Sequence, residues 1–325
     1  MLDLPIRPRR NRKSQWLKDL LAQNNIVASD LILPIFITEG DNQKVAIENF
    51  PDQFRFSIDL AVSQAQKAAE VGIKAVILFP SIEQSLKSAD GKEAVNPDNL
   101  ICRAVKAIKA QVPNIGVICD VALDPYSDHG HDGVLDQDGD VDNDKTVSIL
   151  KQQALIQAQA GCDIVAPSDM MDGRIQEIRK TLDQNGFVNV GIISYCAKYA
   201  SNFYGPFRSI LGSDKNLQAA DKKTYQMDYR NSTEAIRQAI LDQEQGADML
   251  IVKPAMPYLD IIKEMSQTVQ IPIIAYQVSG EYAMIKYAAQ NGAINYDEAV
   301  LESLIACKRA GATAIISYFA LEYLQ

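Results

Sequence analysis

The stretch GADMLIVK, residues 246–253, decides the fold because its pattern occurs four times in the chain. The other copies are GIKAVILF at 72–79, GCDIVAPS at 161–168 and GATAIISY at 311–318. Each glycine follows a polar, alanine-rich run and precedes a short apolar run, which predicts a helix that ends at glycine and then a buried strand. Three of the copies end on Ser168, Lys253 and Tyr318. Three polar groups at one position of a repeated unit indicate a site.

Four further apolar runs predict strands, which brings the predicted strands to eight. They lie at residues 31–38, 115–121, 190–195 and 271–277. The runs are nearly continuous rather than alternating, as expected for parallel strands that are covered on both faces. Helical patterns separate them at residues 57–71, 146–160 and 297–310 and after the capping-box pair Asn231 and Glu234.

This alternation of strands and helices predicts an α/β fold, a (β/α)8 TIM barrel over residues 31–325. The four glycine-preceded strands are the second, fourth, sixth and eighth, and layers inside such barrels come from alternate strands. An open doubly wound sheet is the alternative, but no G-x-G-x-x-G and no P-loop follows any predicted strand. Residues 1–30 contain the basic, proline-broken run PIRPRRNRK. They are interpreted as an N-terminal arm that contacts a neighbouring subunit, with a disordered tail as the alternative.

Composition excludes several classes of function. The chain has 325 residues, a net charge of −9 and a pI near 4.9, which argues against general nucleic-acid binding because phosphate contacts need a basic surface. No apolar run approaches the roughly 20 residues that span a bilayer, so no membrane contact is expected. The five cysteines are scattered without a C-x-x-C pair, which predicts core residues rather than disulfides or a zinc cluster. The N-terminus lacks the apolar segment of a secretory signal, and a cytoplasmic protein is expected.

The predicted strand ends carry the candidate chemistry, because catalytic groups of such barrels lie at the carboxyl ends of the strands. They are Asp120, Ser168, Lys198, Lys253, Ser279 and Tyr318. Lys198 follows the fifth strand and Lys253 ends the sixth, in apolar and aromatic surroundings, so the two amines are expected close together. A free lysine with a pKa near 10.4 is only about 0.04% neutral at pH 7. Desolvation and a second ammonium both lower that pKa, which would make an amine able to form a Schiff base. The alternative is a buried stem whose ammonium pairs with an acid.

Two segments next to these strand ends leave alternatives open. VALDPYSDHGHDG, residues 121–133, follows Asp120 and carries both histidines, His129 and His131, among aspartates. From the spacing, this segment is either a metal site or a mobile polar lid with unliganded side chains. The run NFYGPFR and the lysines after it offer Arg208 and Lys222 to a substrate carboxylate, or only surface charge. The loops after the seventh and eighth strands lack a glycine-rich phosphate nest.

Five motifs together resemble the porphobilinogen synthase (5-aminolevulinate dehydratase) family over essentially the whole chain. The motifs are DVALDPYSDHGHDG at 120–133, VAPSDMMDGR at 165–174, SYCAKYASNFYGPFR at 194–208, MLIVKPAMPYLDII at 249–262 and AYQVSGEYAM at 275–284. The resemblance implies that two molecules of 5-aminolevulinate condense to porphobilinogen with loss of two waters, in tetrapyrrole (heme) synthesis. It also implies a homo-octamer built from dimers with exchanged N-terminal arms.

The same resemblance implies a role for each candidate residue. Lys253 would form a Schiff base with one substrate, whose carboxylate Ser279 and Tyr318 would bind. Lys198 would activate the second substrate, whose carboxylate Arg208, Lys222 and Gln226 would hold. Asp120 and Ser168 would orient the lysines and the substrate amine, with Asp120 shuttling protons, and Phe207 would pack in a closing lid.

The resemblance is least complete at the metal positions. Zinc-dependent members have three cysteines where this chain has Ala122, Asp124 and Asp132, so catalytic zinc is not expected, and the two aspartates become substrate or hard-metal contacts. Other members use a glutamate for an allosteric Mg²⁺ ion, and Gln238, a weaker neutral ligand, stands at that position. We therefore expect an enzyme without organic cofactor or zinc, for which a Mg²⁺ requirement is doubtful.

Two other functions would account for part of this pattern. A class I aldolase or related Schiff-base barrel would share the lysine chemistry, but the missing phosphate nest and the paired lysines argue against it. A barrel that has lost catalysis and serves as a structural or regulatory assembly is the other alternative. The intact pair of lysines, together with Ser279 and Tyr318, argues against it.

Overall fold

A closed parallel barrel organises the molecule, of which the computed structural model describes residues 4–205 and 221–325. The strands in the described residues are β1 (Leu31–Ile37), β2 (Lys44–Ala46), β3 (Phe54–Phe56), β4 (Ala75–Pro80), β5 (Gly116–Val121), β6 (Ile164–Pro167), β7 (Gly191–Lys198), β8 (Met249–Lys253), β9 (Ile273–Tyr276) and β10 (Ala314–Ile316). β1 and β4 to β10 pair in parallel in chain order, and β10 pairs with β1, with Leu31 opposite Ile315. The predicted (β/α)8 barrel is confirmed.

Helices surround this barrel. Those in the described residues are α1 (Gln15–Leu21), α2 (Ile58–Glu70), α3 (Leu100–Gln111), α4 (Asn143–Ala160), α5 (Arg174–Gln184), α6 (Thr233–Glu244), α7 (Leu259–Thr268), α8 (Ser279–Gln290), α9 (Tyr296–Ala310) and α10 (Ala320–Leu324). Four of them lie within a few residues of the predicted helices. The eight barrel strands, β1 and β4 to β10, are buried along almost their whole length because helices cover the outer face and side chains fill the interior.

The repeated glycines act as the sequence predicts. Gly72, Gly161, Gly246 and Gly311 have φ values of 95°, 101°, 101° and 122°, in the left-handed region that favours glycine. Each one ends a helix and turns the chain into the next strand. The five cysteines are all free and buried, which confirms their interpretation as core residues.

Two features lie outside the predicted elements. The short strands β2 and β3 form an antiparallel pair whose second strand also pairs with β1, and three residues are too few to produce a periodic signal. Before β1, a 3-10 turn (Pro8–Arg12) and α1 contain no buried residue, and Ile6 and Trp16 are 80% and 64% exposed. Among the described residues, no helix combines the length and apolarity needed to cross a bilayer.

Candidate active site

Lys198 and Lys253 lie side by side at the carboxyl ends of β7 and β8. The two residues are direct partners in the parallel ladder. Both side chains are almost completely buried, with 6% and 4% of their surface exposed. The expectation that adjacent strands bring the two amines together is confirmed.

The amine of Lys253 lies among aromatic rings. Its Nζ is 4.4 Å from the ring centre of Tyr276 and 5.4 Å from those of Tyr195 and Tyr204. Tyr204 also donates its hydroxyl to the carbonyl of Lys253 at 3.1 Å. Burial and, to a smaller extent, the nearby charge of Lys198 together lower the pKa of Lys253 to about 7, against the opposing effect of Asp120. Both predicted causes of a low pKa are therefore present at this residue.

Lys198 has a different environment, and the expectation of apolar surroundings is wrong for it. Its Nζ donates to Asp132 Oδ2 at 3.0 Å and to the carbonyl of Ser168. The loop after β5 brings Asp132 over the end of β7, a long-range contact that the local sequence around Lys198 does not reveal. The two lysines are therefore unlike: one lies against aromatic rings, and the other is held in an ion pair.

Asp132 also joins Lys198 to Lys222. Lys222 Nζ donates to Asp132 Oδ1 at 2.8 Å and to Asp124 Oδ2 at 3.0 Å. Burial alone would raise the pKa of Asp132, but the two ammonium groups outweigh it and hold the pKa well below its usual range. Burial and the charge of Asp132 raise the pKa of Asp124. Burial would lower the pKa of Lys222, but the two carboxylates raise it. The structure thus brings together the four predicted residues Asp124, Asp132, Lys198 and Lys222.

Asp120 is the second titratable group near pH 7 in this site. Burial raises its pKa to about 7, against the charges of Lys253 and Lys198. Its Oδ1 is buried and has no hydrogen-bond partner among the described residues. A carboxyl group with this pKa can both accept and donate a proton at neutral pH.

Two glutamines that the sequence interpretation missed hold the strand end below Asp120. Gln157 of α4 donates to the carbonyl of Asp120 at 2.9 Å, and Gln153 donates to that of Ala122 at 3.2 Å. Both side chains are buried, with exposures of 0% and 1%. The spacing of four residues on a helix that follows β5 was the signal that could have identified them.

The predicted carboxylate-binding residues fall into two groups. Tyr318 and Tyr276 share a hydrogen bond between their hydroxyls at 3.0 Å, and Ser279 is the buried first residue of α8. Gln226 lies beside Lys222, to whose carbonyl its backbone N–H donates at 2.9 Å, and its buried Oε1 has no partner in the described structure. Phe207 and Arg208 lie outside the described residues.

The histidines contact the polypeptide in the described structure. His129 Nε2 is 3.2 Å from the carbonyl of Ala89, and His131 Nδ1 is 3.3 Å from the hydroxyl of Tyr225. The same hydroxyl accepts the backbone N–H of Asp132 at 3.2 Å, so Tyr225, which the sequence interpretation missed, joins the acidic loop to the Lys222 segment. In residues 4–205 and 221–325 no group of three or more His, Cys, Asp or Glu side chains could hold a metal ion.

Gln238 lies apart from the lysines, on α6. Its Nε2 donates to Asp242 Oδ1 at 2.8 Å. Asp242 is fully buried and faces the buried guanidinium of Arg174, with 3.5 Å between Oδ2 and Nη2. The amide nitrogen of Gln238 is therefore used in a hydrogen bond to a carboxylate, a contact that a glutamate could make only when protonated.

The chain is similar to known proteins over almost its whole length. The family model for Delta-aminolevulinic acid dehydratase matches residues 5–325. The Delta-aminolevulinic acid dehydratase of Bradyrhizobium diazoefficiens is 54% identical over 319 residues, which cover 98% of this chain and 90% of that protein. The protein of the same name from Chlamydia pneumoniae is 48% identical and covers 100% and 98%. The crystal structure of delta-aminolevulinic acid dehydratase from Toxoplasma gondii ME49 with the product porphobilinogen has a TM-score of 0.97 at 46% identity, over 100% of this chain and 92% of that one.

Proposed function

Because the chain belongs to the Delta-aminolevulinic acid dehydratase family, we propose that its two buried lysines carry the condensation through Schiff bases. The reaction is that of the family, porphobilinogen synthase: two 5-aminolevulinate molecules form porphobilinogen and two waters, in heme and tetrapyrrole biosynthesis. The observation that carries the proposal is the pairing of Lys198 and Lys253 in one buried site.

Lys253 supplies the first nucleophile. With a pKa of about 7, roughly half of its amine is neutral at pH 7, compared with about 0.04% for an ordinary lysine. The neutral amine attacks the ketone carbon of 5-aminolevulinate, the new C–N bond forms, and the carbonyl oxygen leaves as water after protonation. Asp120, with a pKa also about 7, is the carboxyl group that can donate and recover this proton.

Lys198 activates the second substrate, but it must first lose a proton. Its ammonium donates to Asp132 Oδ2 at 3.0 Å, and a Schiff base requires the neutral amine. Entry of the second substrate therefore has to be coupled to loss of a proton from Lys198. Asp120, with a pKa of about 7, is the acceptor within the site, whereas Asp132 stays ionised because its pKa is held well below the usual range. The carbonyl of Ser168 fixes the direction of the amine.

The two substrate carboxylates are assigned to different ends of the site. Ser279 and Tyr318 bind the carboxylate of the substrate on Lys253. Lys222, Gln226 and Arg208 bind the second carboxylate, and Phe207 packs in the lid. Lys222 pairs with Asp124 and Asp132, and its ammonium group has three N–H donors, so it can also donate to an incoming carboxylate.

The donor set does not fit a catalytic zinc ion. Ala122 offers no ligand atom, and Asp124 and Asp132 hold ammonium groups where a zinc site needs ligands that converge on the metal. For Mg²⁺, Gln238 provides only a neutral amide, whose nitrogen donates to Asp242. We therefore propose that catalysis needs neither zinc nor a Mg²⁺ ion bound through Gln238.

Assembly and location extend the proposal. We assign a homo-octamer in which residues 1–30 form an arm on a neighbouring subunit, supported by the absence of buried residues in the described arm helices. We also propose that the protein is located in the cytoplasm. Light scattering of the purified protein and fractionation of its source cells test the two statements.

The first experiment is a colorimetric pyrrole assay with 5-aminolevulinate. Purified protein is incubated with EDTA, without additions, and with Mg²⁺. Pyrrole is expected in all three tubes. Pyrrole only with Mg²⁺ would overturn the proposal about metals and leave the activity intact, whereas no pyrrole from folded protein would count against catalysis by this chain.

A further inference from the structure

Glu281 makes an unusual set of contacts for a buried carboxylate. It is the third residue of α8 and is fully buried. Its carboxylate accepts the backbone N–H groups of Val278 at 2.6 Å, Met256 at 2.5 Å and Ala255 at 3.3 Å. The contact to Val278 is an ordinary helix cap. The other two reach a different part of the chain, about 25 residues earlier, and the capping function does not explain them.

These contacts join the two sides of one substrate site. Ala255 and Met256 follow Lys253 at the end of β8, and Val278 precedes Ser279 at the start of α8. The Glu281 carboxylate therefore connects the backbone that follows Lys253 with the backbone that precedes Ser279. Hydrogen bonds in which a carboxylate accepts are stronger than those between neutral groups, and burial keeps water from competing for them.

The start of α8 is also fixed from a third direction. A Cβ atom on Gly280 would lie 2.5 Å from the carbonyl oxygen of Phe203, so the helix packs directly on the backbone of the turn after β7. The next residue in that turn, Tyr204, donates its hydroxyl to the carbonyl of Lys253 at 3.1 Å. The starts of three segments, after β7, after β8 and at α8, thus meet at one junction.

We infer that Glu281 is a positioning residue that sets the distance between the amine of Lys253 and the hydroxyl of Ser279 to the length of one substrate molecule. The inference rests on the proposed function, in which Lys253 binds the ketone and Ser279 the carboxylate of the same 5-aminolevulinate. In that molecule two methylene groups separate the ketone from the carboxylate. A fixed distance between the two protein groups therefore selects for chain length as well as holding the ketone in place for attack.

Burial and the backbone N–H donors act in opposite directions on the ionisation of Glu281. Burial raises the pKa of Glu281 to about 7, and the three backbone N–H donors act against that rise. No salt bridge to a lysine or arginine of the described residues accompanies them. The three N–H groups all need an acceptor, so the ionised form is the one that completes the junction.

The probe is 4-oxopentanoate, which has the ketone and carboxylate of the substrate but no amine and so cannot be condensed. Reduction with borohydride converts its Schiff base to a stable adduct, and peptide mass spectrometry locates the adduct on Lys253. The homologue 5-oxohexanoate, one methylene longer, tests the choice of length. Half-saturating concentrations for both are measured in wild-type protein and in variants.

Two variants distinguish the helix-cap contact of Glu281 with Val278 from its contacts with Ala255 and Met256. Glu281→Asp keeps a carboxylate at the helix start but is one methylene too short to reach Ala255 and Met256. Glu281→Gln keeps the length but places an amide N–H₂ group against N–H donors. The matched control is Glu298→Gln, since Glu298 is the third residue of the next helix, α9, and is exposed.

For both Glu281 variants we expect the half-saturating concentration of 4-oxopentanoate to rise about tenfold or more, as for a misplacement of about 1 Å. The preference for 4-oxopentanoate over 5-oxohexanoate should fall as well, which loss of stability alone would not produce. Glu298→Gln should match the wild type. Unchanged half-saturation and unchanged preference in the Glu281 variants would overturn the inference.

A measurement on the wild type covers the case in which the variants do not fold. The amide hydrogens of Ala255 and Met256 should exchange slowly, as those of buried hydrogen-bonded groups do. Exchange as fast as in an open loop would also overturn the inference. If wild-type protein forms no adduct on Lys253 at all, the proposed role of that lysine fails instead, so the two failures are distinguishable.

Discussion

At the scale of residues, the difference between the two lysines is the central feature of the site. Lys253 lies against aromatic rings, with a pKa of about 7, whereas Lys198 donates to Asp132 and to the carbonyl of Ser168. In the proposed mechanism, Lys253 attacks a ketone as the neutral amine at neutral pH, whereas Lys198 must first lose a proton. The proposed mechanism therefore predicts that Lys253 binds its substrate first.

Replacement of Lys253 by alanine should abolish turnover, because no other described amine lies in the same aromatic environment. We expect a loss of at least about 10³-fold in kcat, since a covalent route is removed. Lys263→Ala, at an exposed position of α7, is the control and should keep wild-type activity. Substantial pyrrole formation by the Lys253 variant would remove the assigned role.

The pKa of Lys253 also leads to a prediction about pH. A neighbouring ammonium lowers the pKa of an amine, so removal of the Lys198 charge in Lys198→Met should raise the pKa of Lys253. The rate of Schiff-base formation on Lys253 increases with pH as the amine loses its proton, with a midpoint of about 7 in the wild type.

We expect this midpoint to move to higher pH in the variant, measured by borohydride reduction after short incubation with 4-oxopentanoate. The variant cannot complete the condensation, but formation of this adduct does not require it to. Lys180→Met, in the exposed part of α5, provides the control. An unchanged midpoint would show that burial alone sets the pKa of Lys253.

At the scale of elements, α4 supports the catalytic end of β5 through Gln153 and Gln157. A helix of a barrel normally covers a strand with apolar side chains, but here two buried amides bind the carbonyls of Asp120 and Ala122. Asp120 is the last residue but one of β5 and still pairs with Ala166 of β6, and Ala122 is the first residue after the strand. The helix therefore fixes the point at which the acidic loop leaves the barrel.

Gln157→Ala should destabilise the protein by about 1–3 kcal/mol, because the buried carbonyl of Asp120 loses its side-chain donor. Activity should fall too, since the strand end that carries Asp120 is no longer held. Urea unfolding measures the first effect and the pyrrole assay the second. Gln152→Ala on the exposed face of the same helix is the control. Equal stability of the two variants would contradict the supporting role of Gln157.

At the scale of the whole molecule, the barrel closes on itself, while none of the described residues before β1 is buried. Exposed apolar residues such as Ile6, Trp16 and Leu20, with exposures of 80%, 64% and 71%, are costly to leave in water. This combination supports the proposed arm between subunits, which remains a prediction.

A variant that lacks residues 1–30 should keep its folded barrel and fail to form the proposed octamer. Circular dichroism is expected to show unchanged helix content apart from the arm, and light scattering a smaller particle. Full-length protein at the same concentration serves as the reference. A truncated protein that still forms octamers would show that the assembly does not depend on the arm.

The amino-acid sequence by itself determined the eight strands, the glycine-ended helices and the identity of the two lysines, because these depend on local patterns of burial and on the order of the strands. Neighbouring strands of a barrel are neighbours in sequence, so the pairing of Lys198 with Lys253 followed directly. Only the tertiary structure decided which acid pairs with which base. The ion pair of Lys198 with Asp132 and the junction at Glu281 join segments that are distant along the chain. Their contacts arise from loop geometry and shared burial, and no local pattern in the sequence records them.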